Sequence, residues 1–490
     1  MKKSMLLISL TLLVFLLTAC DLLTLPITTN TSITTTQTTT TTSGDLSTSG
    51  SDSTTNAEIN QPFIPTGYSH LQDRLDYVGI PSTGDVKILV FAVDFSDAPY
   101  YLDEMSIMEI ETAFNGQSFE TGYESLNSYY TKSSYGMLNI TADVFGYYRA
   151  EHPASYYETE YEKLYEWDEI TNDYVYGEDE VTYVESDLIF EVLNYYDNQI
   201  DYSDYDANQD GYIDGIYMIY TRDVNYNEGS ELWWAYQDYY AYYGDEFEGV
   251  EPNYFIWSGT DFFTEGNSGL NARTIIHETG HMLGLDDYYD YDESDSYNSG
   301  GLGEVDMMDD AMGDHNPASK LLLGWVTPWV VTESMSVDLS TFENSGEVIL
   351  LIDEWKDTLF DEYLLICFYS PTGLNFKDRY SGFSTSGVLI YHVDARIGSG
   401  YDENSAYYTI FNYNNTDTAH KFIDIIEADG RNDIDQGNGA TNTDLFQVGM
   451  VFRGSIFPNY DWFQATQSMN FTIEVTEKTL ENVTLKIEYK

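Results

Sequence analysis

The stretch His277-Glu278-Thr279-Gly280-His281-Met282-Leu283-Gly284-Leu285-Asp286-Asp287 carries two histidines four residues apart, with an acid directly after the first. Ile275, Ile276, Met282 and Leu283 give it an apolar side, so the spacing predicts a helix over 274–283. On a helix, residues four apart share a face, so His277 and His281 point the same way and can hold one metal ion. Glu278 sits beside the first ligand, within reach of a water on that metal. Gly284 ends the helix in a sharp conformation that side chains resist, and the chain doubles back to offer Asp287 as a third ligand. Three protein ligands leave one position open, the arrangement of a catalytic zinc rather than a structural one.

Working outward, the flanking segments alternate between strand and helix. Val86–Val93 is an apolar, β-branched run that reads as a buried strand. Helices are expected over Met105–Phe114, near Leu126–Tyr130 and over Ser186–Tyr196, with strands at Leu138–Val144 and Gly215–Tyr220. After Trp325 the pattern changes to short strands such as Val348–Ile352, Tyr363–Tyr369, Gly387–Val393 and Val483–Tyr489. The expected fold class is an α+β, zincin-like catalytic domain over 66–335 followed by a β-rich, sandwich-like domain over 336–490.

The N-terminus reads as an address. Lys2 and Lys3 precede an apolar run from Met5 to Leu17, too short to span a membrane. It ends in Leu17-Thr18-Ala19-Cys20, which resembles a bacterial lipobox. Residues 1–19 are therefore expected to be a lipoprotein signal peptide, with Cys20 acylated and tethered to the outer face of the membrane. Residues 20–65 are Thr- and Ser-rich and read as a disordered stalk. The only other cysteine, Cys367, lies in an apolar run and reads as a small buried hydrophobe with no disulfide partner.

Across all 490 residues, 83 Asp and Glu stand against 20 Lys and Arg, a net charge of −63. Binding nucleic acid or anionic headgroups needs a basic footprint, so nucleic acid is excluded as a partner and the membrane is reached through the lipid anchor alone. The acidity fits a solvated surface, and some carboxylates can also bind calcium. Asp206, Asn208, Asp210 and Asp214 occupy positions one, three, five and nine of an EF-hand-like loop. Gly211 is at six and Tyr212 offers its carbonyl. Position twelve is Tyr217 rather than the usual Glu, so a structural calcium ion there needs a distant ligand or waters.

With Asp as third ligand, the motif around His277 resembles that of the immune inhibitor A-like secreted bacterial metallopeptidases, a metzincin-like group. Other segments are similar to that group. They include Val86–Asp97, Tyr129–Tyr148, Asp306-Met307-Met308-Asp309, Lys320–Trp325, Gly387–Asp394 and Ile426–Gly430. The resemblance spans roughly 85–460 and implies a zinc endopeptidase with Met308 as the Met-turn residue, Met312 being the rival. No segment like the family's inhibitory propeptide is identified between Cys20 and Val86. The expected activity is hydrolysis of peptide bonds in protein or glycoprotein substrates, with zinc held by His277, His281 and Asp287 and Glu278 as general base. The alternatives are a surface glycan- or protein-binding lipoprotein with a dormant site, and a peptidase restricted to mucin-type glycoproteins. His315 and several tyrosines are candidate oxyanion stabilisers. His70, His152 and His420 read as surface residues, His392 as a structural histidine, and Trp233 and Trp234 as packing.

Overall fold

A computed structural model describes residues 62–490 except 76, 102–104, 164, 169–172, 177–182, 225–230, 265–268, 292–300, 381, 399, 402–406, 409–410, 416–419, 455–461 and 463–468. The expected signal peptide, Cys20 and nearly all of the expected stalk lie outside the described residues. The chain is mixed α and β, with three larger sheets and few long helices.

The first sheet contains β1 (Gly84–Asp94), β2 (Leu138–Arg149), β3 (Ile216–Tyr220), β4 (Tyr236–Tyr239) and β5 (Tyr254–Gly259), in the order β2-β1-β3-β5-β4. Its pairings are parallel except for β4, which runs antiparallel to β5 at the edge. Parallel strands are covered on both faces, which is why β1 and β3 read as continuous apolar runs. Leu89, Phe91, Val93, Met218 and Trp257 face a core shared with α3 (Val184–Tyr196). Val86, Ile88, Val90, Tyr217 and Ile256 face the opposite core.

That opposite core holds α1 (Ile107–Asn115), α2 (Leu126–Ser133), α4 (Arg273–Met282), α5 (Met307–Asp310) and α6 (Pro317–Leu322). Helix α1 starts at Ile107, two residues later than the expected start at Met105, after Ser106 forms a capping box with Glu109. The second sheet closes this core from the other side. It contains β6 (Trp329–Val331), β8 (Val348–Leu351), β9 (Glu362–Tyr369), β10 (Gly387–Asp394) and β11 (Ile423–Ile425). Val348, Leu350, Leu365, Cys367 and Leu389 pack toward the helices, while Ile349, Leu351, Leu364, Ile366 and Ile390 pack the other way. The second set meets the third sheet, of order β12 (Val451–Arg453), β13 (Phe471–Lys478), β14 (Asn482–Tyr489) and β7 (Met335–Ser340).

The helices that carry the His277 motif are therefore clamped between two sheets. Their core continues without a break across residue 335, and the described residues fall within one compact unit. Among the described residues, no helix is long and apolar enough to cross a membrane.

Candidate metal centre

Helix α4 places His277 and His281 on successive turns, with Glu278 directly after the first, and buries Ile275, Ile276 and Met282 against the core. The helix ends in a Schellman turn: the Leu285 N–H donates to the Gly280 carbonyl at 3.1 Å and the Gly284 N–H to that of His281 at 2.9 Å. Gly284 has φ +95°, the left-handed backbone this turn requires. The turned-back chain presents the Leu285 carbonyl 2.8 Å from His281 Nδ1. Two residues later it presents Asp287.

His277 is oriented from the other side. Its Nδ1 lies 2.8 Å from the Met307 carbonyl. When each Nδ1–H donates to a carbonyl, each Nε2 keeps its lone pair for a metal. His277 Nε2 lies 2.9 Å and His281 Nε2 3.2 Å from Asp287 Oδ1. That oxygen is buried with no hydrogen-bond donor. A tetrahedral zinc with bonds near 2.0–2.1 Å holds its ligand atoms about 3.3 Å apart, so the triad fits such an ion.

The electrostatics point the same way. Burial pushes both imidazoles toward neutrality, yet Asp287 overrides it, raising His277 above its ordinary pKa and His281 to about 9. Despite its burial, Asp287 is held well below the usual carboxylate range by the two histidines. Three electron-rich atoms converge here, and the gap between them calls for positive charge, which a proton or a metal ion can supply.

Glu278 is buried beside the triad. Burial raises its pKa, with His277 and His281 opposing, and it accepts a hydrogen bond from the Gln237 backbone on β4. A cleft of about 340 Å³ opens along Arg273, Thr274, His277, Tyr289 and Asp310.

Met308 is fully buried under α4. A Cβ at Gly280 would sit 2.3 Å from its Sδ, so only glycine permits this approach. The Met308 carbonyl accepts the Tyr288 N–H at 2.8 Å, and the Asp306 side chain caps α5 through the Met308 N–H at 2.8 Å. Met312 is only partly buried.

Other expected residues fall away from the triad. His315 is enclosed by Tyr129, Tyr130 and Trp325, and burial holds its pKa well below the ordinary value. It is buried and does not line the cleft beside His277. His392 Nε2 pairs with Glu362 at 2.9 Å, Trp233 is buried, and Cys367 is a buried free thiol.

The 206–214 loop bends through Gln209 at φ +62° and Gly211 at φ +92°. Asp206 accepts the N–H groups of Asp210 and Gly211, each at 3.0 Å, and Asp214 accepts that of Ala207 at 2.8 Å. Among the described residues, two sets of three metal-ligating side chains converge within 4.8 Å: His277, His281 and Asp287, and Glu427, Asp433 and Asp444. The carboxylates of the 206–214 loop are not a third.

Tyr291 and Tyr289 carried no signal beyond their nearness to the motif. The Tyr291 hydroxyl donates to Asp287 Oδ2, and Tyr289 stacks on His277 with ring centres 6.4 Å apart. Tyr77, some 200 positions away in sequence, donates its hydroxyl to the His281 carbonyl at 2.8 Å.

The fold and site define a mixed α and β protein with a buried His-His-Asp triad able to hold a metal ion. No family model matches the chain, and no curated protein matches it.

Proposed function

We propose that this chain is a zinc endopeptidase of the immune inhibitor A-like, metzincin-like kind, held at the outer surface of a bacterial membrane by a lipid on Cys20. The supporting observation is the convergence of His277 Nε2, His281 Nε2 and Asp287 Oδ1 around one point, with Glu278 adjacent and a cleft leading in. Zinc at that point would polarise a peptide carbonyl and lower the pKa of an attacking water to about 7. Glu278 accepts the water's proton and returns it to the leaving amine. The edge strand β4 runs beside α4, where an extended peptide can pair with it and lie across the cleft. Met308 floors the site as the Met-turn residue. The 206–214 loop is assigned a structural calcium ion through Asp206, Asn208, Asp210, Tyr212 and Asp214.

The test is metal content together with casein cleavage, for wild type and Glu278→Gln. We expect zinc in both and cleavage by wild type alone. A variant that cleaves at the wild-type rate sinks the general-base assignment, and well-folded wild type without zinc sinks the metal site. Zinc without cleavage of casein but with cleavage of mucin would assign a glycoprotein-restricted peptidase.

A further inference from the structure

The second cluster lies in the loop after β11, far along the chain from the His277 motif. One carboxylate oxygen each from Glu427, Asp433 and Asp444 lies within 4.8 Å of the other two. Glu427 and Asp444 are 1% and 0% exposed. Among the described residues, no lysine, arginine or histidine forms an ion pair with any of the three. The nearest cation in sequence, Arg431, turns outward to Asp429 at 3.3 Å. Three carboxylates at this spacing cannot all ionise without a counter-charge.

The hydrogen bonds choose between a proton and a cation. Glu427 accepts the Asp433 and Ile434 N–H groups, one on each oxygen, both at 2.9 Å. Asp444 Oδ2 accepts the Thr441 N–H at 2.7 Å and its hydroxyl at 3.2 Å. Three of these four contacts come from backbone donors that can only donate, which favours ionised carboxylates. Asp444 Oδ1, in a fully buried side chain, has no hydrogen-bond partner and is left open to the cluster.

We propose that Glu427, Asp433 and Asp444 bind a calcium ion. All the ligand atoms are hard oxygens, and calcium accepts the irregular, loop-borne shells that magnesium resists. The site braces the rest of the molecule. The Ala440 N–H donates to the Gly303 carbonyl at 2.8 Å, and a Cβ at Gly303 would stand 2.7 Å from Ala440 N. The calcium loop thus packs tightly on the segment leading to Met307, whose carbonyl orients His277. The assignment is independent of zinc and of peptidase activity.

The test is calcium bound per chain, by elemental analysis and calorimetric titration of calcium chloride into the chelator-treated full chain. Wild type is compared with Asp444→Asn, and the pair is repeated in an Asp210→Asn background to set aside the 206–214 loop. We expect Asp444→Asn to lose one equivalent in both backgrounds and to lose at least part of the calcium-induced rise in unfolding temperature. Asp433→Asn, at a partly exposed position, should lose the same equivalent and decides the matter if Asp444→Asn fails to fold. Unchanged stoichiometry in these variants, or a wild type that binds no calcium, overturns the proposal and leaves a shared proton in the cluster.

Discussion

His281 Nδ1 and the Leu285 carbonyl oxygen lie 2.8 Å apart, so the turn that ends α4 also fixes the ring of a candidate metal ligand. Helix termination and the orientation of a candidate metal ligand are one event here, and Gly284 at φ +95° makes it possible. The nearest atom to a Cβ there is 3.5 Å away, so backbone strain rather than crowding limits substitution. Gly284→Ala should cost about 1–2 kcal/mol of stability and weaken zinc binding, while Gly284→Asn should cost less. Thermal unfolding and competitive zinc titration read both effects. A Gly284→Ala chain with wild-type zinc affinity would separate the turn from the site.

Asp287 Oδ2 accepts the Tyr291 hydroxyl while Oδ1 faces the histidines. A carboxylate held through its outer oxygen keeps its inner one on the metal. Removing such a support usually costs about 10–100-fold in metal affinity or activity. Tyr291→Phe should therefore weaken zinc binding by about tenfold with little change in fold, since the ring is exposed. Equal zinc dissociation constants for the two chains would show that the hydroxyl supports nothing.

The spacing of His277, Glu278, His281, Gly284 and Asp287 was legible because it is local. A helix fixes the first three directions, and one glycine fixes the turn to the last. Nearly every expected strand and helix also appears, since apolar periodicity is likewise local. What stayed hidden was pairing over distance. The run Glu362–Tyr369 announces a strand but not that one face meets the α4 core and the other a third sheet. That double burial is why the region after 335 does not stand apart. The Met307 carbonyl, the Tyr77 hydroxyl and the meeting of Glu427 with Asp444 arise from tertiary packing that no spacing encodes.

Glu185 is a buried acid on α3 that accepts the Tyr236 hydroxyl at 3.0 Å. Burial raises its pKa from 4.5 to about 7. An acid with a raised folded-state pKa binds its proton more tightly in the folded chain. Its contribution to stability is therefore fullest below pH 4.5 and is lost as pH climbs through about 7. The loss is on the order of 3 kcal/mol. Glu185→Gln should flatten this part of the profile and make the chain more stable than wild type at pH 8. Urea unfolding at pH 4.5, 6 and 8 tests it, and parallel curves for the two chains would refute it.

Lys320 on α6 is completely buried, and its Nζ lies 2.6 Å from Asp314. Asp314 also accepts the Ser133 hydroxyl at 2.6 Å, which ties α2 to the segment joining α5 and α6. Burial lowers the lysine pKa while Asp314 opposes the shift. Removing one partner of a buried pair strands the other charge, at a cost of about 3–5 kcal/mol. Lys320→Met should pay that in full, because Asp314 would keep only a hydroxyl for compensation. Adding Asp314→Asn removes the stranded charge, so the double variant should be more stable than Lys320→Met alone. Denaturant titration of the four chains in this cycle gives the coupling directly. A double variant no more stable than Lys320→Met would mean that the ammonium's place over the Tyr135 and Phe342 rings, 4.4 and 5.2 Å from their centres, carries the stability instead of its pairing with Asp314.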